Sequence, residues 1–164
     1  MKPGDMVVDL GAAPGGWTQA SRKIVGEKGF VLGVDLKQIE PIDLPNVATI
    51  IGNITDPQTV NRIREMLPRP ADVLISDVSP NVCGIWELDH ARQIDLARES
   101  QEIAASILRP KGNFFVKVFQ GDMLDNFVKE IKASFAFVKL IKPKASRLRS
   151  AELYILGMNL RRIS

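Results

Sequence analysis

An α/β fold built on a mostly parallel sheet, with helices on both faces and an antiparallel hairpin at its C-terminal end, is what this sequence predicts. Three observations carry the prediction. Short β-branched apolar runs alternate with longer stretches of helical spacing from Met6 to Ile131. A glycine-rich turn follows the first run, in Gly11-Ala12-Ala13-Pro14-Gly15-Gly16. The last two strand-like runs have only a short basic loop between them. Alternation implies parallel strands joined by right-handed crossovers, and strands without a helix between them pair antiparallel.

The elements follow in order. Met6–Leu10 reads as the first strand and Thr18–Val25 as the helix after the turn. Phe30–Val34 and Val47–Ile51 are strands. Pro57–Leu67 is a helix with Thr55 or Asp56 as its N-cap. Val73–Ile75 is the fourth strand. Leu88–Leu108 is the longest helix, with Leu96, Ser100, Ile103 and Ile107 on one face. Arg109-Pro110-Lys111-Gly112 is expected to terminate it. Phe114–Phe119 is a strand, Met123–Ile131 a helix, and Phe135–Ile141 with Leu153–Met158 the closing hairpin. No repeat, low-complexity segment or linker divides the chain, so one domain over residues 1–164 is expected.

Composition excludes several classes. A content of 45% apolar and 25% charged residues is that of an ordinary globular domain. No uncharged apolar stretch reaches transmembrane length. The start, MKPGDMVVDL, lacks a secretory pattern. The one cysteine, Cys83, and the one histidine, His90, do not make a structural zinc site or an internal disulfide. A cytoplasmic monomer is expected, with no membrane partner and no metal. The pI near 9.1 hints at an anionic partner.

The glycine turn and the acids at strand ends point to a ligand. In doubly wound sheets ligands sit at the carboxyl ends of the strands. Gly11, Gly15 and Gly16 are expected to let one approach the backbone. Asp9 is expected to accept hydrogen bonds from that ligand or from turn amides. Asp35 ends the second strand, 24 positions after Gly11 (35 − 11). An acid at that place commonly binds the hydroxyls of an adenosine ribose. Nicotinamide dinucleotides and S-adenosylmethionine both present them. GAAPGG is not G-x-G-x-x-G, and its proline removes an amide that a pyrophosphate would use. With Asp9, Asp35 and Asp77 nearby, a cationic cofactor without phosphates fits better.

Asp77 follows the fourth strand, Lys117 sits inside the apolar run FFVKVFQG, and Glu152 begins the last strand. A lysine is costly to bury unless paired or functional. If the three strands are neighbours, the three side chains converge. Such a group has a use where a hydroxyl attacks a methyl sulfonium and must lose its proton.

Taken together, VVDLGAAPGGW, SDVSPN, FFVKVFQG and KPKASRLRSAELYILG resemble the FtsJ/RrmJ-type ribosomal RNA 2′-O-methyltransferases over nearly the whole chain. The resemblance implies a Rossmann-like fold, S-adenosylmethionine as cofactor, and methylation of a ribose 2′-hydroxyl, typically of a uridine in large-subunit ribosomal RNA. It implies a Lys-Asp-Lys-Glu tetrad whose Asp falls on Asp77, second Lys on Lys117 (the general base) and Glu on Glu152. The family's cofactor residues fall on Gly15, Trp17, Asp35 and Asp77. Two departures stand out. The family's first tetrad lysine lies in a helix upstream of the glycine motif, which this chain is expected to lack. Asn53 stands where the family has an acid facing the adenine amino group. Its carbonyl oxygen is expected to accept the same hydrogen bond, more weakly.

Lys142, Lys144, Arg147 and Arg149 share one loop beside Glu152, and are expected to hold RNA phosphates. Arg161 and Arg162 extend that patch in this reading. Asn81, Trp86 and His90 fall on the ligand side after the fourth strand; Trp86 either stacks on a base or packs the loop. The expected partner is ribosomal RNA or the large ribosomal subunit. The alternatives are a transfer-RNA or messenger-RNA-cap 2′-O-methyltransferase, a non-catalytic RNA-binding assembly protein that keeps the fold, and a nicotinamide-dependent oxidoreductase.

Overall fold

The computed structural model describes residues 1–144 and 151–161. Its elements are β1 (Met6–Leu10), α1 (Gly16–Val25), β2 (Phe30–Asp35), β3 (Val47–Ile51), α2 (Pro57–Met66), β4 (Ala71–Ser76), α3 (Trp86–Ile107), β5 (Leu108–Phe119), α4 (Leu124–Ser134), β6 (Phe135–Ile141) and β7 (Glu152–Leu160). They form one seven-stranded sheet in the order β3-β2-β1-β4-β5-β7-β6. The pairs from β3 through β5 are parallel, and β7 is antiparallel to both β5 and β6. The expected closing hairpin therefore forms with its second strand inserted next to β5. Strand order reverses beside β1, so the ends of β1 and β4 open the crevice where such sheets bind ligands.

The two faces are covered unequally. Val8, Leu10, Leu32, Leu74, Phe114 and Val116 point to one face and pack on Ile63 of α2, Ile94 and Ile103 of α3 and Phe127 and Ile131 of α4. Val7, Val31, Val73 and Ile75 point to the other face and meet Val25 of α1. This is the alternation of strand side chains across a sheet. α3 keeps an apolar stripe through Ile94, Ala97, Ile103, Ala104 and Ile107 at helical spacing. Asp56, one of the two expected caps, starts α2 by accepting from the Gln58 amide at 2.9 Å. Thr55 instead bonds back to Asn53.

One boundary differs from expectation. α3 ends at Ile107, but Arg109-Pro110-Lys111-Gly112 does not form a free connecting loop. It is a bulged start of β5: Leu108 pairs with Ala71, the register slips, and Asn113 pairs with Val73. Lys111 takes φ 65 there. Arg109 is held against the sheet by the Asp72 carboxylate, which also accepts the Met6 amide at 2.7 Å. A long-range ion pair keeps the proline and glycine in the strand. Among the described residues no helix is long and apolar enough to cross a membrane.

Candidate active site

The glycine turn answers first to its own neighbours. Gly11 has φ 76, and a Cβ there would lie 2.9 Å from the Val78 amide nitrogen and 3.0 Å from the Asp77 carbonyl carbon. The chain leaving β4 crosses directly over the turn, tied by the Asp77 amide to Leu10 O at 2.9 Å. Gly11 lines the cleft, yet the close approach that demands a glycine is that of Asp77 and Val78 rather than a ligand's. Gly16 differs: a Cβ there would meet nothing within 4 Å, so its backbone is bare and open. Gly15, at φ 130, is the residue from which α1 departs. Gly11→Ala is expected to destabilise the fold by roughly 1–3 kcal/mol, read by urea unfolding, because it combines a left-handed backbone with a main-chain clash.

Asp9 is sealed inside. It is 0% exposed, and its Oδ2 accepts from the Thr18 hydroxyl at 2.7 Å, fastening α1 to β1. Its Oδ1 is buried without a hydrogen-bond partner among the described residues. Burial pushes its carboxyl up to about 7, against the Thr18 bond, with the Asp77 and Asp35 charges adding to the rise. The expectation that Asp9 meets turn amides is corrected. Its side chain faces α1 beneath the turn, and the turn amide of Ala13 donates to Asp35 Oδ2 at 2.9 Å instead. Asp35 Oδ1 accepts from the Lys37 amide at 2.8 Å. These two bonds leave the carboxylate lone pairs for a diol, since a carboxylate has about four acceptor sites.

A cleft of about 460 Å³ opens between these strand ends, with Gly11, Asp35, Asn53, Asp77 and Asn81 among its walls. Gly15, Gly16 and Trp17 are not in its lining. They sit at the start of α1, where the Trp17 ring leans on Phe115 and Tyr154 at 5.9 and 6.4 Å. Asn53 corrects another expectation. Its Oδ1 accepts from both the amide and the hydroxyl of Thr55, at 3.0 and 2.9 Å, in the turn that leads into α2. The carbonyl oxygen is thus engaged, and the side-chain amide NH₂ is what remains for a ligand.

Asp77, Lys117 and Glu152 are brought to one end of three neighbouring strands, on one sheet face. Lys117 is 6% exposed. Its Nζ lies 3.3 Å from Asp77 Oδ1 and donates to the Asp77 carbonyl at 3.2 Å. Glu152 pairs in register with Phe119, two residues beyond Lys117, and so shares its face. Two participants were missed in the sequence. Tyr154 pairs with Lys117 and donates its hydroxyl to Asp77 Oδ1 at 3.1 Å. Burial first, then the Asp77 carboxylate, raises its phenol far above the usual value, so it remains a donor. The alternation Glu152-Leu153-Tyr154 carried the signal, because residues two apart in a strand share a face. Gln93 of α3 is the other. Its Nε2 donates to Val78 O at 3.1 Å and Lys117 O at 2.9 Å, bracing the backbone on both sides of the site.

The basic residues divide. Lys142 and Lys144 are exposed, just past Ile141, which pairs with Tyr154 at the site end of the sheet. Arg147, Arg149 and Arg162 lie outside the described residues. Arg161 does not extend the patch: it follows Leu160 at the other end of β7, nine positions (161 − 152) from Glu152. At about 3.3 Å per residue that is roughly 30 Å away. Among the described residues no group of three His, Cys, Asp or Glu side chains is placed to hold a metal. A cleft walled by the carboxylates of Asp35 and Asp77, with a buried amine held against Asp77, has the acceptors for a cationic adenosine beside a hydroxyl nucleophile.

Comparison with known proteins gives the same direction. A family model described as FtsJ-like methyltransferase matches residues 1–160. Ribosomal RNA large subunit methyltransferase E of Methanocaldococcus jannaschii is 49% identical over 160 residues, covering 96% of this chain and 65% of that protein. The protein of that name in Methanothrix thermoacetophila is 50% identical, covering 98% and 61%. The chain thus spans somewhat under two thirds of the length of these curated relatives. Among solved structures, a chain described as a ribosomal RNA methyltransferase from Plasmodium falciparum superposes with TM-score 0.83 at 25% identity, covering 97% of this chain and 88% of that one. The fibrillarin pre-rRNA processing protein of Methanococcus jannaschii shares the fold, with TM-score 0.69 at 16% identity and coverage of 98% and 69%.

Proposed function

Because the chain belongs to the FtsJ-like methyltransferase family, we propose that it transfers the methyl group of S-adenosylmethionine to a ribose 2′-hydroxyl of RNA, a uridine of large-subunit ribosomal RNA being the leading acceptor. The observation that carries the reading is the buried Lys117 amine, 3.3 Å from the Asp77 carboxylate at the margin of the acidic cleft. RNA binding alone does not require a buried amine there.

S-adenosylmethionine supplies an electrophilic methyl on a sulfonium. Asp35 accepts hydrogen bonds from the adenosine ribose, and the open backbone at Gly16 admits the amino-acid part. Lys117, when neutral, takes the proton of the 2′-hydroxyl as the oxygen–methyl bond forms and the sulfur–methyl bond breaks. Asp77, with one oxygen shared between Lys117 and Tyr154, fixes where that amine stands. Glu152 sits at the RNA-facing end of β7, and Lys142 and Lys144 hold phosphates beyond it, joined in this reading by Arg147 and Arg149. The partner is then ribosomal RNA or the large ribosomal subunit, met by a monomer in the cytoplasm; light scattering with and without subunits reads that stoichiometry.

The test is transfer of labelled methyl to large ribosomal subunits, followed by mapping of 2′-O-methylated nucleotides. Label on a base or on protein, or none while the cofactor binds, would defeat the reading. Asn53 offers a separate check. An aspartate there keeps one oxygen for Thr55 and turns the other to the adenine amino group. Asn53→Asp is expected to tighten S-adenosylhomocysteine binding about fivefold in isothermal titration. No gain would mean that Asn53 does not face the adenine edge.

A further inference from the structure

Trp86 is the first residue of α3, and it is 47% exposed although two rings press on it. The Phe119 ring lies 6.2 Å away at 22° and the His90 ring 6.3 Å away at 15°. The backing is rigid. Phe119 and His90 are themselves buried. His90 Nε2 accepts the Met123 amide at 3.0 Å, and its ring fills the space in which a Cβ on Gly121 would sit, 2.6 Å away. The chain before Trp86 is held as well: Asp89 accepts the Cys83 and Gly84 amides at 2.9 and 3.0 Å. The tryptophan is therefore a supported plane, near-parallel to two buried rings, with about half of its surface left to solvent.

Its place matters as much as its support. Phe119 is two residues beyond Lys117 on the same face of β5, about 7 Å along the strand, and pairs in register with Glu152. The exposed Lys142 and Lys144 follow β6 at this same end of the sheet. A flat apolar face at the same end of the sheet as cationic side chains complements a single-stranded nucleic acid, whose bases stack while its phosphates pair. A protein partner would not need the plane to be braced from behind.

We infer that the exposed surface of Trp86 is a stacking platform for a nucleobase of the acceptor RNA, at or next to the nucleotide whose ribose meets Lys117. The inference rests on the proposed RNA methyl transfer. Stacking is indifferent to base identity, so Trp86 sets the position of the strand rather than its sequence. Asp89 and His90 are positioning residues for the ring.

The test uses a short uridine-rich single-stranded oligoribonucleotide carrying one 2-aminopurine, whose fluorescence falls when it stacks. The full chain and Trp86→Phe are expected to quench it. Trp86→Leu keeps an apolar cover over Phe119 but has no aromatic face. It is expected to bind the oligoribonucleotide about fivefold to a hundredfold more weakly, without quenching, while its S-adenosylhomocysteine affinity stays that of the parent. With ribosomal substrate, KM is expected to rise more than kcat falls. Quenching by Trp86→Leu equal to the parent's, or none by the parent, overturns the platform. Quenching by a parent that neither binds S-adenosylhomocysteine nor transfers methyl leaves the platform standing and defeats the methylation reading. Transfer with unaltered KM in Trp86→Leu does the reverse.

Discussion

Lys117→Met is expected to lower methyl transfer by about a hundredfold to ten-thousandfold, the range over which a positioned acid–base group acts, while S-adenosylhomocysteine binds as before. The amine lies against Asp77 at the margin of the cleft, away from Asp35 and Asn53, which are proposed to hold the adenosine, so its loss removes proton acceptance rather than cofactor contacts. Methionine retains most of the buried length, which separates chemistry from packing. The change also leaves Asp77 with Tyr154 as its side-chain donor. Asp77 is about a quarter exposed and its oxygen keeps the tyrosine bond, so the fold should survive. Single-turnover transfer and calorimetry on the same preparation decide the matter. A variant that transfers at the parent's rate would remove Lys117 from the reaction. A variant that loses cofactor binding and activity together would make it a scaffold residue. Tyr154→Phe, which keeps the ring on Phe115 but frees Asp77, should give a smaller loss of rate by the same assay.

The second large effect is on stability. Asp9 ionises near pH 7 in the folded protein, against 3.8 as its ordinary value, because burial disfavours the charged form. The folded state then holds a proton that the unfolded chain has already released. Such a group contributes stability that is complete below pH 3.8 and is lost as pH rises through about 7. The loss amounts to roughly 4 kcal/mol in total, about 3 of it between pH 5 and 8.5. Asp9→Asn keeps an acceptor for Thr18 and cannot ionise. It buries an unpaired amide at a steady cost of about 1–3 kcal/mol. The variant is therefore expected to gain about 3 kcal/mol on the parent between pH 5 and pH 8.5, and to be the more stable of the two at pH 8.5. Urea unfolding of both proteins at the two pH values measures the difference, in which the titration of all other groups cancels. A gap that does not change with pH would show that the Asp9 carboxyl is not held neutral. A cationic ligand bound nearby should favour the ionised form, so proton release on binding near pH 7 is a companion measurement.

Most of the architecture was already determined by local signals. The parallel strands, the connecting helices and the C-terminal hairpin follow from apolar periodicity, and periodicity is a property of neighbouring residues. Asp35, Asp77 and Lys117 were also legible: each interrupts or ends an apolar strand, where a charge is expensive without a purpose. What stayed hidden depends on chain segments far apart in sequence. Arg109 to Gly112 looks like a terminator, and only the Asp72 carboxylate, 37 residues away, holds it in the sheet. Gly11 looks like a ligand contact, and only the crossing of Val78 shows whose backbone comes close. Asp9 looks like an open acid at a strand end, and only the docking of α1 seals it. Tyr154 is marked only by its place two residues after Glu152, and Gln93 carries no local mark; both gain their roles from the partners that packing brings within hydrogen-bond range. The order of the elements and the charges at the strand ends are local properties that neighbouring residues carry. Which of those groups is open, which is buried and which braces another was decided by tertiary packing, since burial and partnership are properties of distance in space and not of distance along the chain.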